Sequence, residues 1–82
     1  MALFMDIHDK VEGATATDVE AAHARDVEVG PGYGVDYRRY WFSEATGRVF
    51  CLVEGPDRET VERVHREAHG LVADEIQEVV EG

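Results

Sequence analysis

Two clusters of glycine and proline divide this chain and decide where its helices can lie. The first occupies residues 30–34, and the second is Gly55-Pro56, followed at once by Asp57. Proline lacks a backbone donor and glycine favours turns, so neither cluster can lie inside a helix. We therefore expect one helix to end at the first cluster. Another should begin after the second, with Asp57 as its N-cap and Glu59 in its first turn.

Apolar residues at helical spacing define the two helices. The first follows a loop-like stretch, residues 12–16, and is predicted to begin at a capping box of Thr17 and Glu20. It should run to about Val29. Gly70 lies where a C-terminal cap of the second helix is expected. The apolar stripe of that helix consists of Val61, Val64, Ala68 and Leu71.

Four stretches with strand composition account for most of the remaining chain. Their predicted bounds are Ala2 to His8, Val35 to Ser43, Arg48 to Glu54 and Ile76 to Val80. The second and third are joined by residues 44–47, a connection of hairpin length. The fourth begins with alternating apolar and polar residues and is expected to lie at an edge of the sheet.

This order of elements, βαββαβ, indicates an α+β fold of the ferredoxin-like type. We expect a single domain over residues 1–82, with an antiparallel sheet of order 4-1-3-2 and two helices on one face. A chain of 82 residues buries only part of its surface, and its stability alone should be modest. A homodimer that covers the open face of the sheet is therefore expected.

The chain is strongly acidic. Its 18 Asp and Glu residues outnumber its 8 Lys and Arg residues, and its formal net charge is -10. Such a surface repels phosphate backbones and anionic lipid, and it concentrates cations. We therefore expect divalent metal ions as partners, and neither nucleic acid nor a membrane.

The single cysteine, Cys51, excludes an internal disulfide and a cysteine-rich zinc site. Residues 1–10 contain Asp6, His8 and Asp9, so we predict no signal peptide there, and no stretch is long enough for a membrane span. These features favour the cytoplasm. Cys51 itself, in the middle of a strand, is interpreted as a small buried hydrophobe outside any site.

Two polar residues lie on the predicted buried side of the first helix. At 100° per residue, Val19 and Ala22 set that side, and His23 and Asp26 share it. Ionisable groups are rarely buried unless they are paired or bind a metal. The two residues could therefore bind a metal ion, or they could form a buried hydrogen-bonded couple.

The second helix shows the same anomaly. His65 falls on the apolar stripe, His69 lies one turn after it, and Glu62 lies one turn before it. Two histidines at i and i+4 can chelate one divalent ion from one helix face. The residue after His65 is Arg66 rather than glutamate, so the sequence lacks the HExxH motif of metalloproteases. A pair of surface histidines on a solvated helix is the alternative.

The first strand adds Asp6 and His8, which project from one face of the sheet because they alternate with Met5 and Ile7. Which face is buried stays open, since Leu3, Met5 and Ile7 are equally suited to a core, and Asp6 with His8 could simply face solvent. In the predicted topology this strand ends beside the start of the first helix and the end of the second. All four histidines of the chain should then lie at one end of the domain.

We therefore predict a metal site built from imidazole and carboxylate groups. Such ligands suit nickel, and also zinc or cobalt. The candidate ligands are His8, His65, His69, His23, Asp6, Asp26 and Glu62.

Several stretches of the chain are also similar to those of a known family. They are residues 5–8 (MDIH), Ala22-His23 with Asp26, residues 40–42 (YWF), residues 50–54 (FCLVE) and above all residues 64–76 (VHREAHGLVADEI). Together they resemble a family of small actinobacterial nickel-binding proteins with a ferredoxin-like fold. This resemblance implies a homodimer that binds nickel ions and serves in nickel sequestration or detoxification. Nickel follows from the resemblance alone, since the composition indicates only divalent ions.

Two main functions are compatible with these features. The first is a non-catalytic metal-binding protein, in which neutral imidazoles and a carboxylate replace the waters of Ni²⁺. The alternative is a small dimeric enzyme that uses His23 with Asp26, or His8 with Asp6, as a general acid/base pair. This alternative requires a cavity between the helices and the sheet.

The aromatic residues of the second predicted strand leave a third possibility. Tyr37, Tyr40 and Trp41 are interpreted as a packing or dimer surface, and they could also form the wall of a ligand site at a dimer interface. The protein would then be a regulatory module for a small ligand.

Overall fold

The computed structural model describes residues 1–9, 11 and 14–82, and these residues form a four-stranded antiparallel sheet with two helices. Glu12 and Gly13 of the predicted first loop lie outside the described residues. The strand order β2-β3-β1-β4 confirms the predicted ferredoxin-like arrangement, with the last strand at an edge. The elements are β1 (Ala2–His8), α1 (Ala16–Val29), a 3₁₀ helix (Gly30–Tyr33), β2 (Asp36–Ser43), β3 (Arg48–Gly55), α2 (Arg58–Ala68) and β4 (Glu75–Val79).

Helix α1 begins two residues earlier than predicted. The Thr15 hydroxyl accepts a hydrogen bond from the Asp18 N–H at 3.2 Å, and the Thr15 N–H donates to the Asp18 carboxylate at 3.0 Å. This reciprocal pair is a capping box, so the prediction of a box at Thr17 and Glu20 is wrong. Aspartate can close the box as glutamate does, and the earlier pair therefore starts the helix.

Helix α2 begins where the sequence predicts. The Asp57 carboxylate accepts a hydrogen bond from the N–H of Thr60 at 2.8 Å, and Glu59 lies in the first turn. With 14 and 11 residues, α1 and α2 are both short. In the described part of the chain no helix is long and apolar enough to cross a membrane.

At the end of α2, the structure confirms the predicted capping position of Gly70 but not the predicted position of Leu71. The helix stops at Ala68, and His69 is its C-cap. Gly70 follows with a φ of 79°, and its N–H donates to the carbonyl of His65 at 3.0 Å. Because the chain turns away at Gly70, Leu71 lies beyond the helix and is 46% exposed. Its predicted place on the apolar stripe is therefore wrong.

The helices cover the face of the sheet that carries the even-numbered residues of β1. Phe4, Asp6 and His8 are all buried there. Asp6 is completely buried, because β1 lies inside the sheet and Cys51 on β3 and Ile76 on β4 pair with it from either side. The odd-numbered residues of β1 are half-buried on the opposite face. The sheet therefore places two ionisable side chains in the core.

The aromatic residues of β2 take different positions. Tyr37 is buried, and its hydroxyl donates to the carbonyl of Val61 on α2 at 3.2 Å. Tyr40 is half-buried and packs against the core. Trp41 is 44% exposed. Two of the three therefore have a packing role.

The 3₁₀ helix contains a close approach that only glycine permits. A Cβ on Gly30 would lie 2.5 Å from the carbonyl oxygen of Val35. Gly30→Ala should therefore lower the free energy of unfolding by about 2 kcal/mol, as measured by urea denaturation. Gly32→Ala is the matched control, because no atom lies within 4 Å of its added Cβ. Equal stability of the two variants would contradict this steric interpretation.

Candidate metal centre

His65 on α2 connects its own helix with both β1 of the sheet and helix α1. Its Nε2 lies 2.8 Å from Asp6 Oδ2 on β1, and its Nδ1 lies 2.9 Å from Asp26 Oδ1 on α1. All three side chains are at most 2% exposed. Because a carboxylate only accepts hydrogen bonds, both ring nitrogens of His65 must carry protons. The ring is therefore an imidazolium held between two carboxylates.

The electrostatics of the site agree with this protonation state. Burial lowers the pKa of His65, but its hydrogen bonds to Asp26 and Asp6 outweigh burial and raise the pKa to about 9. Burial raises the pKa of each carboxyl group, but the hydrogen bonds from His65 hold both pKa values below the ordinary 3.8. Two carboxylates and one imidazolium leave the trio with a net charge of -1, which favours a cation.

His69 joins this network from the end of α2. Its Nδ1 accepts a hydrogen bond from the N–H of Leu71 at 3.1 Å, so the proton of a neutral ring lies on Nε2. That Nε2 lies 3.2 Å from Asp26 Oδ2. The turn at Gly70 brings the Leu71 N–H to this position, and the same turn therefore fixes the orientation of the ring.

One oxygen at the other end of the network lacks a partner. Asp6 Oδ1 is buried without a hydrogen bond, and it lies 3.6 Å from His8 Nε2. This separation is too long for a hydrogen bond. It is close to the roughly 3.0–3.4 Å that separates adjacent ligands around an ion with bonds of about 2.1 Å. A small shift would therefore bring these two atoms to the separation of adjacent ligands on one ion.

Two groups of potential donors meet at His65. The first group is Asp6, His8, Cys51 and His65, and the second is Asp26, His65 and His69. Within each group, the donor atoms lie within 4.8 Å of one another. The two groups share the His65 ring, whose Nε2 and Nδ1 point to opposite sides.

A cavity of about 70 Å³ lies beside these groups, between α1 and the sheet. All four histidines of the chain line it, as the predicted convergence at one end of the domain requires. Apolar side chains form much of the remaining wall, among them Val19, Ala22 and Val49.

A family model, described as nickel responsive protein SCO4226-like, matches residues 4–79 of the chain. The chain belongs to this family. The protein is also similar to a solved structure, the crystal structure of SCO4226 from Streptomyces coelicolor A3(2). The two chains are 41% identical, the match covers 99% of each, and the TM-score is 0.91. A comparison with curated proteins gives no significant match.

Membership of the SCO4226-like family confirms the resemblance found in the sequence. The description of the family connects it with nickel. Of the seven candidate ligands, five lie in the two donor groups of this family member: His8, His65, His69, Asp6 and Asp26.

The structure does not place His23 in either donor group. Its ring packs against the Tyr40 ring at a centroid distance of 4.5 Å, and burial lowers its pKa. Its Nδ1 is buried and has no hydrogen-bond partner among the described residues. Asp26, one turn along α1, instead pairs with His65 and His69, so the proposed couple of His23 and Asp26 is not formed.

Glu62 also lies apart from the donor groups. It lines a separate polar hollow with Arg58, Asp74 and Glu75. At 100° per residue, Glu62 is rotated by about 60° from His65 around α2 and lies one turn nearer the start of the helix. This rotation takes it out of the ridge that reaches Asp6 and Asp26.

Cys51 is the donor that the sequence interpretation leaves out. It is buried, as predicted, but it also lies directly opposite Asp6 in the register of β1 and β3. Burial, together with the nearby Asp6 carboxylate, raises the pKa of its thiol. Its alternation with the core residues Val49 and Val53 indicates the buried face, but the strand register is needed to place it beside Asp6.

The pKa shifts predict how the stability of the metal-free protein depends on pH. The pKa of His65 is raised in the folded state, so its stabilising effect is complete below about pH 6.5 and is lost as the pH rises through about 9. The pKa values of Asp6 and Asp26 are lowered in the folded state, so their stabilising effect is present above pH 3.8 and is lost as the pH falls below that value. Burial lowers the pKa of His23, so its folded form loses stability as the pH falls through 6.5, and stability should therefore be greatest near pH 6.5.

Urea denaturation in the presence of a chelator tests this profile. The loss between pH 6.5 and 9 should be on the order of 3 kcal/mol and belongs to His65. Cys51 and Tyr37 contribute only above their ordinary values of 9.0 and 10.0. A stability that stays constant from pH 6 to 9 would show that His65 is not an imidazolium in the folded protein.

Proposed function

We propose that this protein binds nickel(II) as cargo, without catalysing a reaction, and holds it for sequestration or detoxification. The proposal rests chiefly on Asp6 Oδ1, a buried oxygen that has no partner and lies 3.6 Å from His8 Nε2. Cys51 and His65 complete this donor group. The description of the family as nickel responsive supports nickel as the ion.

The donor types suit a borderline divalent ion. Asp6 offers a carboxylate, His8 and His65 offer imidazoles, and Cys51 offers a sulfur atom. Imidazole and thiolate prefer transition metals, whereas magnesium and calcium prefer oxygen ligands. Cobalt and zinc share these preferences, so they are the expected competitors of nickel.

Protons and metal ions compete for this donor group. Hydrogen bonds raise the pKa of His65 to about 9, and burial raises that of Cys51, so both donors are protonated at neutral pH. An ion bound by both must displace one proton from each. The apparent affinity should therefore fall by about 100-fold for each pH unit of acidification below neutrality.

The hydrogen bonds of the site favour binding over acid/base catalysis. A general base needs a free lone pair within reach of a substrate proton, with a partner that orients the ring. His23 has no hydrogen bond to Asp26, because His65 and His69 occupy that carboxylate. His8 is 3.6 Å from Asp6, which is too long for an orienting hydrogen bond. Neither predicted acid/base pair is formed.

A cytoplasmic location and a homodimer are part of the proposal. A buried free thiol that serves as a metal donor suits a reducing compartment. The face of the sheet opposite the helices carries half-buried apolar residues that no element among the described residues covers; they include Leu3, Met5, Ile7, Leu52 and Val79. A second copy of the chain would remove this apolar face from water.

Titration calorimetry of metal-stripped protein with Ni²⁺ tests the site. Asp6→Asn and Cys51→Ala should each weaken nickel binding by more than about 100-fold, since even the loss of a group that only orients a ligand costs 10–100-fold. Glu62→Gln removes a carboxylate outside the donor group and is the matched control. Wild-type protein loaded with nickel should show a sulfur-to-nickel absorption band that Cys51→Ala lacks.

Titrations in two buffers with different enthalpies of ionisation should count about two protons released per ion near neutral pH. Unchanged affinity and stoichiometry in both variants would remove the donor group from the nickel site. With that result, the exposed carboxylates of the acidic surface would be the groups that bind nickel.

The dimer can be tested by a charge in the middle of the uncovered face. Leu52→Glu should convert the dimer to a monomer in sedimentation equilibrium, because a carboxylate buried without a partner opposes association. Ala21→Glu, on the exposed side of α1, is the control and should remain dimeric. A wild-type protein that is monomeric at high concentration would refute the proposed homodimer.

A further inference from the structure

The donor group proposed to hold nickel lies inside the core, away from water. The side chains of Asp6 and His65 are at most 1% exposed, that of His8 is 8% exposed, and Cys51 is buried as well. We call these four residues the inner group. A buried metal site requires an entry path, along which the ion exchanges its waters for protein ligands. Donors nearer to the surface would provide such a path.

The second donor group, Asp26 with His65 and His69, reaches closer to the surface. The His69 side chain is 13% exposed, more than the side chains of the other two members of its group. Leu71, whose N–H contacts the His69 ring, is 46% exposed and lines the same cavity. The cavity therefore opens beside His69.

Two atoms of this second group are spaced for a single ion. His69 Nε2 lies 3.2 Å from Asp26 Oδ2, within the roughly 3.0–3.4 Å that separates adjacent ligands around an ion with bonds of about 2.1 Å. The proton on His69 Nε2 occupies the space between them. An ion in its place would leave the hydrogen bonds of His65 to Asp26 Oδ1 and to Asp6 intact. Capture at this position therefore does not disturb the core.

The contacts of His69 also favour release of the ion. Its Nδ1 accepts a hydrogen bond from the Leu71 N–H at 3.1 Å. A neutral imidazole that binds a metal through Nε2 carries its proton on Nδ1, so this hydrogen bond is lost while the ion is bound. Asp26 and His69 supply two ligands at this cost, whereas the inner group offers four donors. The ion should therefore be held more weakly by the outer pair.

One cavity joins the two positions. Asp26 and His69 line it, and so do His8 and Cys51 of the inner group. An ion that leaves His69 can therefore reach Cys51 through a single continuous space.

We propose that Asp26 and His69 form an entry site, which captures a divalent transition-metal ion from water and passes it through the cavity to the inner group. This inference rests on the proposed function, because it requires the inner group to be the final site. Binding by His65 in the inner group displaces the Nε2 proton that joins it to Asp6. Capture at the entry site leaves that proton in place, so capture should be fast and transfer slow.

Stopped-flow absorption with metal-free protein and Ni²⁺ tests this order, and the sulfur-to-nickel band of Cys51 is the signal of arrival. In the wild type, the rate constant for appearance of the band should rise with nickel concentration and then level off. Transfer from a filled entry site does not depend on free nickel, which is the reason for the plateau. A linear rise up to millimolar nickel would overturn the proposal, because the ion would then reach Cys51 in one step.

His69→Gln removes the imidazole of the entry site and keeps a polar side chain. The band should appear at least about tenfold more slowly, since donors that concentrate an ion in a cleft raise association rates by roughly 10- to 1,000-fold. It should still form, because all four donors of the inner group are present. Glu62→Gln is the matched control, since Glu62 lies on α2 outside both groups, and it should react at the wild-type rate.

These outcomes separate the entry site from the inner group. Equal rates in His69→Gln and the wild type would overturn the entry site and leave the inner group in place. A wild-type protein that shows no sulfur-to-nickel band at saturating nickel would refute the inner group, and the entry site with it. The wild-type plateau decides the proposal even where the His69 variant does not fold.

Discussion

The hydrogen bonds of His65 to Asp6 and Asp26 are the interaction on which the rest of this structure depends. They join β1, α1 and α2 at the centre of the core, where all three groups are at most 2% exposed. Each of these charges would be costly to bury alone, and removing one partner of such a pair typically costs about 3–5 kcal/mol. The correct packing of both helices on the sheet is therefore coupled to a single ring.

Stability alone does not explain why this core is ionic. A well-packed apolar group in place of a buried ion pair is often as stable or more stable. An apolar core would also avoid the unpartnered Asp6 Oδ1 and the nearby His8 ring. A buried oxygen without a hydrogen bond costs stability, and both Asp6 Oδ1 and the His8 ring offer an electron pair to a cation. The core thus holds more atoms that can bind a cation than it has hydrogen-bond partners for them. This surplus is the strongest physical argument for a ligand.

The periodicity of the sequence was enough to predict the fold and most of this cluster. Helical spacing placed Asp26 and His65 on buried faces, and alternation placed Asp6 with His8. It could not decide which face of β1 is buried, because the odd-numbered residues are as apolar as a core requires. In the structure the buried face of β1 is the one that carries Asp6, and there the Asp6 carboxylate pairs with His65 across the core.

Other features depend on contacts that no single segment contains. Cys51 is a donor only because the register of β1 and β3 puts it opposite Asp6. His69 reaches Asp26 from a C-cap rather than from a helical turn, because Gly70 redirects the chain. Angular spacing along α2 therefore placed His69 near Asp26 for a different reason, and it placed Glu62 with residues from which the structure separates it.

In the metal-free protein, protons occupy the positions that an ion would take. The Nε2 proton of His65 bridges to Asp6, so the carboxylate and the imidazole are already held together before any ion arrives. Many small metal proteins fold only when the metal binds, and their binding energy is then folding energy. The hydrogen bonds of His65 join β1, α1 and α2 through protons, so an ion that takes His65 as a ligand would exchange with one of those protons. Acid would then release the ion, and above about pH 4 the carboxylates would stay ionised and paired with His65, so the core would persist.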